Sequence, residues 1–141
     1  MKNDNLFYTC SLIEYIGRKT KRKRGDVIDL LGKERIARIY KDAPVLHCEP
    51  IDKVADEYIA LSKIASGSFD NVSACKYNIP SYWDIGDVYT RLIEDVGNGD
   101  VVDSLVSVFN SDLGKQIQNF NWPYFYQPRD YLAAAYRGEA D

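Results

Sequence analysis

The spacing of apolar residues between residues 82 and 96 constrains this chain most, because it fits an α-helix and no other regular structure. Ser81, with Asp84 three residues later, predicts a capping-box start, and Gly-Asn-Gly at residues 97–99 ends the pattern. The apolar side chains recur every three or four residues, as one face of a helix requires, at Tyr82, Ile85, Tyr89, Leu92, Ile93 and Val96.

A second apolar stripe begins directly after this helix. Asp100 is the predicted N-cap, and the stripe runs from Val102 to Phe120. Only Gly114 disturbs it, at a cost of about 1 kcal/mol relative to alanine. Because two long helices with a short connection pack side by side, we expect an antiparallel helical hairpin over residues 82–120.

Weaker patterns predict further helices. Gly32 lies within one of these patterns, where it either ends a short helix or allows a neighbouring backbone to pack closely. Residues 66–80 predict a long loop with a short strand. The result is a mostly α protein, a single compact domain over residues 1–141 with about five or six helices. The further helical segments lie at residues 6–16, 26–41, 50–66 and 128–136. Residues 6–16 are apolar on nearly every side, so a buried strand is the alternative there, and a helix is the interpretation that we favour.

The composition is typical of a globular protein. The chain has 141 residues, of which 45% are hydrophobic and 28% charged, so it can bury a core. Its three cysteines are widely spaced and follow no signal-peptide pattern. The apolar segment 6–16 is shorter than the roughly 20 residues that cross a bilayer. We therefore expect a soluble protein of a reducing, cytoplasmic compartment, with no membrane partner.

The charges are distributed unevenly along the chain. Residues 1–41 hold 11 Lys or Arg against 5 Asp or Glu, whereas residues 42–141 hold 7 against 16, so a net charge of −3 divides into +6 and −9. This asymmetry predicts one positive and one negative face.

Six of the seven residues at positions 18–24 are cationic. Such a density predicts a patch that contacts phosphates, and Arg35, Arg38 and Lys41 extend this patch in our interpretation. A solvated, mobile loop and a nuclear localisation signal are the alternatives. The six cationic residues are Arg18, Lys19, Lys21, Arg22, Lys23 and Arg24.

Residues 26–41 have the layout of a helix-turn-helix: a helix, a glycine and a basic helix. In such a motif, a turn of about three to four residues sets the two helices at a crossing of ~90–120°. Because the apolar stripe continues in phase through Gly32, the pattern favours one bent helix over two crossed helices.

Aromatic residues cluster near the C-terminus. Trp122, Tyr124 and Tyr126 alternate with other residues, so an extended strand would place their rings on one face, suited to stacking bases or to binding a partner. The alternative, which we favour, is that these rings close the core over the helical hairpin.

Residues for catalysis or metal binding are few. His47 and Cys48 are adjacent, and Cys10 and Cys75 lie elsewhere, so no spaced pair predicts a zinc site. Buried, inert thiols are the alternative. The chain has no phosphate-binding loop, dinucleotide fingerprint or nucleophile elbow. We therefore expect no metal, no cofactor and no enzymatic activity, unless His47 meets Cys48 or Cys75 in a deep pocket.

Three segments resemble recurrent blocks in a group of short bacterial proteins of unassigned function. They are YIGRKT at residues 15–20, FDNVS at residues 69–73 and CKYNIPSYWDIG at residues 75–86. The resemblance implies a bacterial or phage origin and a single compact domain, and it transfers no catalytic residue.

The leading hypothesis is a small helical binding protein that holds nucleic acid or a phosphorylated ligand through residues 18–24. The alternative is a protein-interaction module, such as an antitoxin-like protein or a phage anti-defence inhibitor, which docks a partner protein through its acidic face or its C-terminal rings.

Overall fold

Helix α1, Asp4–Thr20, lies at the centre of the fold. The computed structural model describes residues 3–139. Asn3 caps α1, because its side-chain oxygen accepts a hydrogen bond from the Leu6 N–H at 3.1 Å. Even Glu14 on this helix is fully buried, since other helices cover α1 on nearly every side. The predicted helix over residues 6–16 is therefore confirmed, and it is longer than predicted.

Helices α2, Arg24–Leu31, and α3, Lys33–Leu46, occupy the region 26–41. The single residue between them, Gly32, has a φ of 82°, a conformation that glycine adopts without strain. The prediction of one bent helix is wrong. The apolar spacing continues in phase through Gly32, but the backbone of this residue is not helical and ends α2. The one-residue connection is also shorter than the turn of a helix-turn-helix motif.

Helix α4, Ile51–Ser62, begins as predicted but ends about four residues early. Lys63 takes a left-handed conformation with a φ of 53°, which ends the helix. In the loop that follows, Asn71–Ala74 form the single-turn helix α5 where a short strand was predicted. The side chain of Asp70 caps this turn by accepting from the Ser73 N–H at 3.0 Å.

Helix α6, Tyr82–Val96, has the predicted bounds and the predicted capping box. Ser81 Oγ accepts from the Asp84 N–H at 3.0 Å, and the Asp84 carboxylate accepts from the Ser81 N–H at 3.1 Å. Helix α6 packs along α1, where Gly86 lies directly against Ser11.

The second arm of the predicted hairpin consists of two helices, α7, Val101–Asn110, and α8, Asp112–Ile117. Ser111 separates them in an extended conformation with a ψ of 162°, and its hydroxyl caps α8 by accepting from the Gly114 N–H. Helix α7 packs against α6, so the hairpin is present. The prediction of one continuous helix up to residue 120 is wrong. The side chain of Ser111 stabilises the start of a new helix, although the apolar stripe continues without a break.

The chain ends with a 3-10 turn, Pro123–Tyr126, and helix α9, Arg129–Tyr136. Residues 3–139 thus contain nine α-helices, one 3-10 turn and no strand. The mostly α class is confirmed, whereas the predicted number of five or six helices is wrong. Their buried apolar residues form one cluster. The predicted domain over residues 1–141 includes two residues at each end that lie outside the described part.

Within the described part of the chain, no helix combines the length and the apolar character needed to cross a membrane.

The three cysteines differ in accessibility, which predicts their reactivity. Cys10 is fully buried, Cys75 is half-buried and Cys48 is exposed. Burial raises the pKa of the Cys10 thiol from about 9 to about 12, and the thiolate is the reactive form. At pH 8 we expect a thiol reagent to modify Cys48 fast, Cys75 more slowly and Cys10 only after denaturation, as mass spectrometry of the labelled protein would show. Fast labelling of Cys10 in the folded protein would contradict this burial.

The same pKa shift sets the sign of a pH effect on stability. Between pH 9 and pH 12 the unfolded chain releases the Cys10 proton while the folded chain keeps it. Ionisation of Cys10 in the unfolded chain therefore lowers the free energy of unfolding as the pH rises above about 9.

Candidate ligand-binding site

The basic segment, residues 18–24, is part of the scaffold. Its first three residues end α1, and its last residue begins α2. Lys21, which joins the two helices, has a φ of 55°. The backbone also holds the loop after α4. The Gly67 N–H donates to the carbonyl of Thr20 at 2.8 Å, and the Phe69 N–H donates to the carbonyl of Lys21 at 2.8 Å.

Arg24 is buried, with 1% of its surface exposed, although the sequence predicts it in a surface patch. Its Nε and Nη2 each donate to the carboxylate of Glu14 at 2.8 Å. Arg18 Nε donates to the same carboxylate at 2.6 Å, and Arg18 Nη2 donates to the Pro80 carbonyl at 2.7 Å. Gly17 leaves room for this arrangement, because a Cβ there would lie 2.4 Å from Arg24 Cδ. One carboxylate thus faces two guanidiniums, so the cluster carries a net positive charge.

Two buried amides connect this cluster to a cavity. Arg24 Nη2 donates to Asn71 Oδ1 at 3.1 Å, and Asn71 Nδ2 donates to the Gln118 carbonyl at 2.9 Å. The Gln118 side chain accepts from the Arg24 N–H at 2.9 Å. Both Asn71 and Gln118 line the cavity. The positive cluster therefore lies directly behind the cavity wall.

The cavity, which we call the Trp122 cavity, has a volume of about 690 Å³. It lies among α5, α8 and the loop before α5. Its lining residues include two aromatic residues, Phe69 and Trp122, two lysines, Lys23 and Lys115, and five residues with side-chain amides. A volume of this size is in the range of small-molecule sites, about 300–1,000 Å³.

The only acidic residue that lines the Trp122 cavity, among residues 3–139, is Asp70. The N–H and the hydroxyl of Ser73 hold the pKa of Asp70 below its usual range, so the carboxylate is ionised. Its charge is offset by Lys21, whose Nζ lies 3.8 Å from Asp70 Oδ2. Neither Lys23 nor Lys115 forms an ion pair within the described part of the chain. The residues that line the cavity therefore carry more positive than negative charge.

The three predicted aromatic residues do not share one face. The extended strand that would align their rings is absent, because residues 123–126 form a 3-10 turn after Pro123. Trp122 is 47% exposed and lines the Trp122 cavity, whereas Tyr126 is 67% exposed and lines a different cavity. Tyr124 packs against the core, as the favoured alternative predicts for these rings.

The two remaining cations of the basic segment, Lys19 and Arg22, have partners within the protein. Lys19 pairs with Asp52 and Asp56 on α4, and Arg22 Nε donates to the Ala65 carbonyl at 2.6 Å. Outside the segment, Lys33 pairs with an acidic residue of α7. Cations of the positive N-terminal part thus pair with acids of the negative C-terminal part. Part of the charge asymmetry along the sequence therefore corresponds to ion pairs between residues 1–41 and residues 42–141.

Arg35, Arg38 and Lys41 are exposed on α3. Tyr40 on this helix accepts a hydrogen bond from Asn3 Nδ2 at 2.7 Å, so this part of α3 lies at the start of α1. The basic segment lies at the other end of α1, about 25 Å away for 17 helical residues. Arg38 and Lys41, next to Tyr40, therefore do not extend the patch.

No family model, curated protein or solved structure matches this chain.

Sequence reasoning identified Lys23 and Trp122 but missed the residues that complete the cavity. Lys115 is one cation on a short helix, and Asn71 and Gln118 are ordinary amides in the sequence. No motif marks them, because α5 and α8 come together only in the fold. Among residues 3–139, no group of three or more metal-ligating side chains could hold a metal ion. His47 lies in a separate groove with Trp83.

Proposed function

We propose that this protein is a non-enzymatic binding protein whose Trp122 cavity holds a phosphorylated, ring-bearing ligand of the nucleotide type. One observation carries the proposal: Lys23 and Lys115, both exposed and without ion pairs among residues 3–139, line the same cavity as Trp122. Lysine ammonium groups bind phosphate as point charges. An exposed indole ring stacks on a nucleobase.

The amides of the cavity support a ligand with polar edges. Asn71, Gln118 and Asn119 accept or donate hydrogen bonds within the protein, and Gln116, which is half-exposed, lines the same cavity. An amide offers both donors and an acceptor, which a base edge requires. A hydrophobic ligand would cover the Gln116 amide and Asn119 Nδ2, which have no hydrogen-bond partner among residues 3–139, and would leave them without one at an unfavourable free energy.

The buried charge behind the wall favours the same class of ligand. The cluster of Glu14, Arg18 and Arg24 has one negative and two positive groups, and it is screened less by salt than surface charges are. Its field therefore adds to that of Lys23 and Lys115. The basic segment supports anion binding mostly from within the fold, and Lys23 alone of its residues lines the cavity.

Isothermal titration calorimetry with adenosine 5′-monophosphate, adenosine and inorganic phosphate tests this proposal. We expect the nucleotide to bind more tightly than either part. Trp122→Ala should weaken nucleotide binding by about 1–3 kcal/mol, the energy of one base–ring stack. The double variant Lys23→Gln/Lys115→Gln should weaken it about tenfold and reduce its salt dependence, because two phosphate contacts are lost.

The matched control is Lys33→Gln/Lys53→Gln, which removes two other exposed lysines, both outside the cavity. This control should bind the nucleotide as the unmodified protein does. Equal loss in both double variants would mean that only overall charge matters. No heat with any of the three compounds would overturn the proposal.

Docking of a partner protein is the second candidate function, and a separate groove favours it. This groove, of about 450 Å³, is lined by Phe7, Pro44 and Trp83, and the neighbouring Val45 is 71% exposed. An apolar side chain of a partner would fit there as an anchor. Failure of all three compounds in the calorimetry would favour this candidate.

A further inference from the structure

The surface next to the Trp122 cavity carries a second exposed ring with a cation beside it. Tyr77 is 71% exposed, the largest exposed fraction among the aromatic residues described, and Lys76 next to it is exposed too. Neither residue lines the cavity itself. A single nucleotide in the cavity would leave this surface unused.

Asn121 holds this surface at the rim of the cavity. Its Oδ1 accepts from the Lys76 N–H at 2.8 Å, and its Nδ2 donates to the Ala74 carbonyl at 2.9 Å. Asn121 directly precedes Trp122 in the chain. Since consecutive Cα atoms are about 3.8 Å apart, these bonds keep the Cα atoms of Tyr77 and Trp122 within roughly 15 Å of each other.

We propose that the ligand is a single-stranded oligonucleotide, which places one nucleotide in the Trp122 cavity and a following base on Tyr77, with Lys76 on the connecting phosphate. This inference rests on the proposed function and adds the polymer to it. Alternating rings and cations along a groove are typical of surfaces that bind single strands with little sequence preference. A protein partner is disfavoured, because the core of a protein interface is depleted in lysine, whereas this surface combines Lys23, Lys76 and Lys115 with two rings.

Fluorescence anisotropy of a fluorescein-labelled ten-residue oligothymidylate tests the inference, alongside calorimetry with thymidine 5′-monophosphate. We expect the oligonucleotide to bind at least tenfold more tightly than the mononucleotide. Tyr77→Ala should weaken oligonucleotide binding about five- to a hundredfold, the loss of one stack, and leave mononucleotide binding unchanged. Lys76→Gln should lower the slope of log affinity against log salt by about 0.7, the value for one phosphate of a single strand.

Tyr126→Ala is the matched control, because Tyr126 has a similar exposed fraction of 67% but lines another cavity. It should bind both probes as the unmodified protein does. If the mononucleotide binds and the oligonucleotide binds no more tightly, the polymer inference fails and the proposed function stands. Equal effects of Tyr77→Ala and Tyr126→Ala would also overturn the inference. The inference is also wrong if the oligonucleotide does not bind. The surface is then a protein interface if a protein partner binds the unmodified protein but not the Tyr77→Ala variant.

Discussion

Glu14→Gln is expected to lower the free energy of unfolding by about 3–5 kcal/mol, the usual cost of removing one partner from a buried ion pair. The carboxylate of Glu14 is fully buried and accepts hydrogen bonds from both Arg24 and Arg18. Glutamine has nearly the same shape but no charge. The variant would therefore leave the buried guanidinium of Arg24 without a counter-charge, and the neighbouring Arg18 would add to the repulsion.

Urea denaturation, followed by circular dichroism at pH 7, measures this loss. Glu57→Gln is the control, because Glu57 is an exposed glutamate on α4, and it should change the stability by less than about 0.5 kcal/mol. The double variant Glu14→Leu/Arg24→Met should recover part of the lost stability, since it removes both charges and fills their space. A loss for Glu14→Gln as small as that of Glu57→Gln would mean that the pair is hydrated and contributes little.

This buried pair also shows where sequence reasoning fails. Arg24 is one of six cations in a run, and nothing local distinguishes it from Lys23 next to it. Its burial depends on space left by Gly17 and on the carboxylate of Glu14. Both partners lie on α1, but only the turn at Lys21 brings them to Arg24. A charge run is therefore a weak predictor of a surface patch when a tight turn lies within it.

The helices were predictable where local signals agreed. The capping box at Ser81 and the 3.6-residue period of α6 indicate the same helix, and the structure has it with the predicted bounds. The helix boundaries at Gly32 and Ser111 were not predictable from periodicity, because the apolar stripe continues through both. At each of these positions a single residue determines where the helix ends, Gly32 through its positive φ and Ser111 through its capping hydroxyl.

The candidate site was predictable only in part, for a related reason. Lys23 and Trp122 stand out in the sequence as members of a basic run and an aromatic cluster, and the fold places both on one cavity. Tyr124 belongs to the same aromatic cluster, yet it packs against the core. The rings of Trp122 and Tyr124 remain in contact, with centroids 6.3 Å apart, but of the two residues Trp122 lines the cavity and Tyr124 does not. The aromatic composition therefore identified the region, and only the fold shows which residue lines the cavity.

The contact between α1 and α6 depends on the absence of a side chain at residue 86. A Cβ on Gly86 would lie 2.0 Å from Ser11 Oγ and 2.9 Å from Ser11 Cα, which is a backbone atom and cannot rotate away. The two helices would have to separate. Gly86→Ala is therefore expected to lower the free energy of unfolding by about 3 kcal/mol, the upper end for overpacking a core, although alanine favours a helix by about 1 kcal/mol over glycine.

Thermal and urea denaturation of four variants separate crowding from helix propensity. Gly25→Ala is the matched control, because the nearest atom to its Cβ is the end of the exposed Asn110 side chain at 3.1 Å, which can move; it should be neutral or stabilising. Ser11→Ala alone should be nearly neutral, since the buried Ser11 hydroxyl has no hydrogen-bond partner to lose. Combined with Gly86→Ala it should recover part of the stability, because the closest contact disappears while the contact with Ser11 Cα remains. Additive effects of Ser11→Ala and Gly86→Ala would show that these residues do not limit the approach of the two helices.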